Sequence, residues 1–144
     1  MTPLATSAAA EIKSLHAALV VLFTGRSRDF SRCAQALAPG FSMVTPDGVL
    51  LDRDGVLSSF EAASTSANFR ISISGIRVLW EAGDSVLLQY VEEQYRDRKT
   101  TRRLSTALLS AESKAPGGIV WRYLHETWMR DADNPQELSP KREK

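Results

Sequence analysis

The residues able to do chemistry are concentrated in one stretch. Ile119 to Met129 reads Ile-Val-Trp-Arg-Tyr-Leu-His-Glu-Thr-Trp-Met. A strand sends alternate side chains to opposite faces. Strict alternation puts Trp121, Tyr123, His125 and Thr127 on one face, and Val120, Arg122, Leu124, Glu126 and Trp128 on the other. His125 is the candidate acid–base group, because an imidazole exchanges protons near neutral pH. Trp121 and Tyr123 beside it are candidates for the wall of an apolar pocket. The bland alternative for His125 is a buried ring hydrogen-bonded to a neighbouring strand.

Four other residues join this set as candidate ligand-binding groups: Trp80, Tyr90, Glu92 and Arg103. Glu92 and Glu93 are adjacent on one predicted strand and face opposite ways. They cannot work as a paired acid and base, and one of them points inward near Tyr90 or Tyr95. Burial raises the pKa of an inward carboxylate unless a cation such as Arg103 answers it. Glu126 has Arg122 on its own face and Arg103 on the preceding strand. A cross-strand Arg–Glu pair is ordinarily a sheet contact worth under about 1 kcal/mol. Its functional counterpart is an arginine held ready for a carboxylate or another anion.

These residues need elements to position them. A helix is predicted from about Ala8 to Thr24, capped by Thr6 or Ser7. Ile12, Leu15, Leu19 and Leu22 form its apolar stripe, with His16 among the residues that widen it. A second helix covers about Arg28 to Ala38 and is stopped by Pro39-Gly40. It carries Cys33, the chain's one cysteine, as a small core residue. Two short strands, Phe41–Thr45 and Val49–Leu51, flank a Pro46-Asp47-Gly48 turn. Asp52 caps a third helix from about Arg53 to Ala63. Long strands follow over about Phe69–Trp80, Ser85–Arg96 and Thr101–Ala111. Gly75 lies where the first of these changes phase, which predicts a bulge.

The expected architecture is α+β: three N-terminal helices packed on a strongly bent antiparallel sheet, a cone-shaped barrel enclosing a cavity. Residues 1–7 are expected to be a lead-in and 8–130 one domain. The polar residues 131–144, with Pro135 and Pro140, are expected to form a flexible tail.

The totals narrow the function classes. In 144 residues, 43% are hydrophobic and 24% charged, and the net charge is +1, so no global field draws the chain to nucleic acid or to an anionic membrane. Arg96 to Arg103 is locally +4, but no aromatic residue interleaves its basic ones; it reads as a soluble hairpin tip. A lone cysteine and a start without a signal-peptide pattern predict a cytoplasmic protein. The longest apolar run, Ala17 to Phe23, is too short to span a bilayer. Two distant histidines, no phosphate-binding glycine loop and no dinucleotide fingerprint predict neither metal nor cofactor.

The order of elements resembles the nuclear transport factor 2-like superfamily, the cone-shaped fold shared with ketosteroid isomerase and the SnoaL-like proteins. The stretch Phe41-Ser-Met-Val-Thr-Pro-Asp-Gly48, then Asp52-Arg53-Asp54-Gly55-Val56, looks like that fold's hairpin and helix start. Trp121 to Trp128 looks like the closing strand of its calcium/calmodulin kinase association-like branch. The resemblance covers about Glu11 to Arg130 and implies a homodimer joined through the sheet. It also implies a test. An isomerase of this kind needs a carboxylate base before the hairpin proline and a tyrosine in its oxyanion hole. Thr45 holds the first position and the first helix has no tyrosine, so ketosteroid-type isomerisation is not expected.

Three functions follow as expectations. The first is binding of a small apolar or carboxylate-bearing molecule in the cavity. The second is a dehydratase or isomerase using His125 as general acid/base. The third is a homo-oligomerisation or adaptor domain whose cavity its own side chains fill.

Overall fold

The computed structural model describes residues 1–130; the tail expected at 131–144 lies outside them. Helix α1 runs Pro3–Phe23, five residues longer at its start than the hydroxyls of Thr6 and Ser7 indicated. Thr2 is the cap instead, its hydroxyl accepting from the Ala5 N–H at 3.1 Å. Pro3 follows in the first turn, where proline loses no hydrogen bond, and the alanines behind it favour helix. No loose lead-in of seven residues exists. By length and composition α1 is apolar enough to cross a bilayer. Here Ile12, Leu15, Leu19 and Leu22 are buried against the sheet.

Helix α2 is only Ser31–Ala36. Pro39 and Gly40 do not stop a helix; they lie inside strand β1, Leu37–Val44. The pairing of β1 slips between Leu37 and Ser42, and a slip is where a strand tolerates a proline. Strand β2 is Leu50–Asp52, and α3 is Arg53–Ala62 with the Asp52 carboxylate accepting from the Gly55 N–H at 2.8 Å. The remaining strands are β3 (Arg70–Ala82), β4 (Ser85–Arg96), β5 (Lys99–Ala111) and β6 (Ile119–Trp128). Gly75 has φ of +65°, and the β3–β4 register shifts there between Ser74 and Arg77, as its phase change predicted.

The six strands form one open sheet in the order β2-β1-β6-β5-β4-β3. All pairings are antiparallel except one: β1 runs parallel to β6. The main core lies between the helices and the inner face of the sheet, around Ile12, Phe41, Val56, Leu88, Leu109 and Trp121. Cys33 is part of it, and burial pushes its thiol up to about 11.

A buried carboxylate fastens the helices to the sheet. Glu11 of α1 accepts from the Trp121 indole N–H at 3.1 Å and from both terminal nitrogens of Arg32, at 3.2 and 2.8 Å. One side chain thereby joins α1, α2 and β6, and Trp121 is fully buried with its indole N–H satisfied.

Candidate functional site

One cavity of about 260 Å³ opens between the helices and the inner face of the sheet. Its walls are apolar: Leu15, Leu19 and Phe23 from α1, Phe41 and Met43 from β1, and Phe60 from α3 are among them. Its far side is polar and comes from four elements. His16 is on α1, Glu92 and Gln94 on β4, Arg103 on β5 and Glu126 on β6. Inward alternation delivers these side chains. Glu92 stands opposite Arg103 in the β4–β5 ladder, and Ser105 stands opposite Glu126 in the β5–β6 ladder.

Two ion pairs organise the polar side. His16 Nδ1 donates to the Ile12 carbonyl at 2.7 Å, and its Nε2 lies 3.1 Å from Glu92 Oε1. Both facing oxygens accept, so a proton on each ring nitrogen satisfies both contacts. Burial opposes that charge, but the Glu92 carboxylate outweighs it and His16 titrates above its ordinary value. Glu92, although buried, is held down to about 2 by His16 and Arg103, and the Gln94 amide donates to its other oxygen at 2.6 Å. In the second pair Arg103 Nη1 donates to Glu126 Oε1 at 3.3 Å, and the Ser105 hydroxyl donates to Oε2 at 3.1 Å. A well-made charge-assisted contact is nearer about 2.8 Å, so Arg103 is loosely held. Its Nε has no partner among the described residues, and neither has the Tyr90 hydroxyl. Burial and the nearby Glu92 push the Glu126 carboxyl up to about 7. The same two causes keep Tyr90 neutral, well above 10.

Arg103 also borders the outside. Its guanidinium lies 4.8 Å from the ring centre of Trp128, whose indole N–H donates to Asp47 of the β1–β2 turn at 2.8 Å.

The residues singled out by sequence divide three ways. Glu92, Arg103 and Trp121 line the cavity, and Tyr90 is fully buried beside His16, their rings 5.7 Å apart. Trp80, 53% exposed, pairs with Leu87 on the outer face of the sheet, away from the cavity. Tyr123 and His125 are also on the outer face, the Tyr123 hydroxyl 3.1 Å from His125 Nδ1. His125 therefore does not serve this cavity as acid or base. The cause is a bulge: Leu109 pairs with Trp121 and Leu108 with Tyr123, so β6 spends Arg122 as an extra residue. Past that point the alternation inverts, and Leu124 and Glu126 turn inward with Trp121. His16, Gln94 and Glu126 were missed as cavity residues. The buried stripe of α1 already contained His16, but nothing local signals its partner 76 positions on.

Among solved structures, the fold is similar to an NTF-2-like protein of unknown function from Pseudomonas aeruginosa. The two are 31% identical over 86% of this chain and 99% of that one, with a TM-score of 0.76. The CaMKII hub of S. rosetta is similar in fold, at 16% identity over 90% of this chain and 98% of that one, TM-score 0.73. So is the association domain of C. elegans CaMKII, at 15% identity over 85% and 96%, TM-score 0.62. No protein-family model and no curated protein matches the chain.

Proposed function

Because the chain belongs to the NTF-2-like family, we propose that it is a small-molecule binder, taking a largely apolar ligand with one carboxylate into the cavity. The observation that carries this reading is Arg103 at the polar side of an apolar cavity, loosely held by Glu126 at 3.3 Å, and the charge balance there agrees with it. With Glu126 protonated, His16 and Arg103 supply two positive charges against the single negative charge of Glu92. Among the described residues the Arg103 Nε has no acceptor, and a buried donor left unmade costs about 1–3 kcal/mol. A carboxylate at Arg103 supplies both the acceptor and the missing charge, and the apolar walls suit the rest of such a molecule.

The test is thermal stabilisation by short-chain carboxylates such as hexanoate, with hexanol as the neutral analogue, on the wild type and on Arg103→Gln. A ligand at about 100 times its dissociation constant raises stability by about 2.7 kcal/mol. The reading expects stabilisation by hexanoate that exceeds that of hexanol and shrinks in Arg103→Gln. Equal responses to both compounds in both proteins contradict it.

A second reading, self-association, is compatible with the first and draws on a different observation. Among the described residues no helix packs on the outer face of the sheet. One apolar row crosses four strands there, Trp80–Leu87–Leu108–Tyr123, each residue in register with the next. A second copy of the chain offers the same row, which is what a two-fold contact requires. Two of the proteins similar in fold are named a hub and an association domain.

A further inference from the structure

We infer that anion binding in the cavity is coupled to the uptake of one proton by Glu126. The inference rests on the carboxylate-binding reading and adds its regulation. The geometry begins with competition. Arg103 reaches Glu126 at 3.3 Å, its one ion pair among the described residues, and an incoming carboxylate bids for the same guanidinium. A displaced Glu126 has nowhere to go. It is buried on β6 and enclosed by other side chains. Ser105 and Arg103 face it from β5, Tyr90 and Glu92 from β4, and His16 from α1. Neither α3 nor β1 contributes a titratable side chain among the residues lining the cavity.

Electrostatics then decides the protonation state. Above about pH 7, where the unliganded Glu126 is ionised, it balances the cluster: His16 and Arg103 positive, Glu92 and Glu126 negative. A bound anion would leave a buried excess of negative charge, which a low-dielectric site does not hold. One proton on Glu126 restores neutrality, and Ser105 remains beside the carboxyl as a hydrogen-bond partner. Tyr90 cannot accept that proton, being already neutral, and the Glu92 carboxylate beside His16 favours the charged form of that ring. The Glu126 carboxyl, pushed up to about 7 by burial and by Glu92, changes state with little cost near neutral pH.

Two measurements test this, one with a ligand and one without. The first is calorimetric titration of hexanoate and hexanol across about pH 6 to 9, in buffers of differing ionisation enthalpy. The expected result is uptake approaching one proton per hexanoate bound above neutral pH. Affinity falls there toward about tenfold per pH unit, since the proton must come from solution. Below the Glu126 titration the affinity is flat. Hexanol shows neither effect, and in Glu126→Gln hexanoate binding loses its slope. A hexanoate affinity independent of pH, or the same slope in Glu126→Gln, overturns the inference.

The second measurement is a carbon-13 carboxyl NMR titration of the unliganded protein and of Arg103→Gln. Removing the guanidinium, as a bound anion does in effect, is expected to move the Glu126 midpoint upward. An unmoved midpoint overturns the coupling whether or not hexanoate binds. Failure of hexanoate to bind at any pH, with the midpoint moved, overturns the carboxylate reading instead and with it the proton-linked binding, while leaving the Arg103–Glu126 linkage in place.

Discussion

Glu126 and Arg103 meet at 3.3 Å on neighbouring strands, inside the cavity, and the contact is long for a pair of full charges. Its sign matters for stability. The Glu126 carboxyl sits above its ordinary value of 4.5, so folding favours the neutral form. Its stabilising contribution is complete below about pH 4.5 and is lost as the pH rises through about 7. His16, also raised, has the same sign, complete below 6.5 and lost above its folded-state value. Glu92 is lowered to about 2, so its contribution is present above its ordinary value of 4.5 and lost only in strong acid. Urea unfolding is therefore expected to show wild-type stability falling from about pH 5 to about pH 8. The Glu126→Gln variant should lose less over the same range, by on the order of 2 kcal/mol. Parallel pH profiles for the two proteins would contradict the placement of Glu126.

The Glu11 staple makes a simpler prediction. Glu11→Ala leaves the buried Trp121 indole N–H without an acceptor and Arg32 without its anion. The expected loss is about 2–4 kcal/mol in chemical denaturation. Glu11→Gln keeps an acceptor for Trp121 and should recover part of it. A Glu11→Ala protein as stable as the wild type would show that the three-element contact contributes nothing.

Substitution of His125 separates the two faces of β6. Because His125 and Tyr123 lie outside the cavity, His125→Ala should leave hexanoate stabilisation unchanged, and its folding free energy should stay within about 0.5 kcal/mol of wild type. Loss of ligand response in that variant would mean that strict alternation, and not the bulge, describes the strand.

The outer row predicts a change of assembly without a change of fold. Trp80→Lys and Leu108→Lys each put a charge into the apolar row of a partner copy. Light scattering should show a smaller species for both variants at equal concentration, with the circular dichroism of the wild type retained. A wild type that is already monomeric removes the basis for the self-association reading.

Much of the fold was legible because its signals are local. The Asp52 cap, the turn at Asp47-Gly48 and the bulge at Gly75 each follow from residue types over a few positions. Cap choice was less legible: Thr2, Thr6 and Ser7 all carry a suitable hydroxyl, and the burial of Ala5 and Ala8 that goes with the longer helix has no local signal. The site was harder to read for two physical reasons. A single extra residue at Arg122 exchanges the faces of everything after it, sending His125 out and Glu126 in. Arg122 itself gives no glycine-like sign of a bulge. Second, the His16–Glu92 pair joins a helix to a strand 76 residues away, a contact that no pattern along the chain encodes. Arg103 was recognised as a partner for an inward carboxylate, but the loose, half-satisfied state that makes it a candidate anchor is visible only in three dimensions.

The most direct measurement is methyl NMR of the protein during addition of hexanoate. The account predicts shifts at Leu15, Leu19, Met43, Val56 and Leu124, which line the cavity, and none at Leu87 or Leu108 on the outer face. In Arg103→Gln those shifts should need far more ligand. Shifts confined to the outer face, or cavity shifts equally strong in Arg103→Gln, would contradict the claim that an anionic ligand enters the cavity and anchors on Arg103.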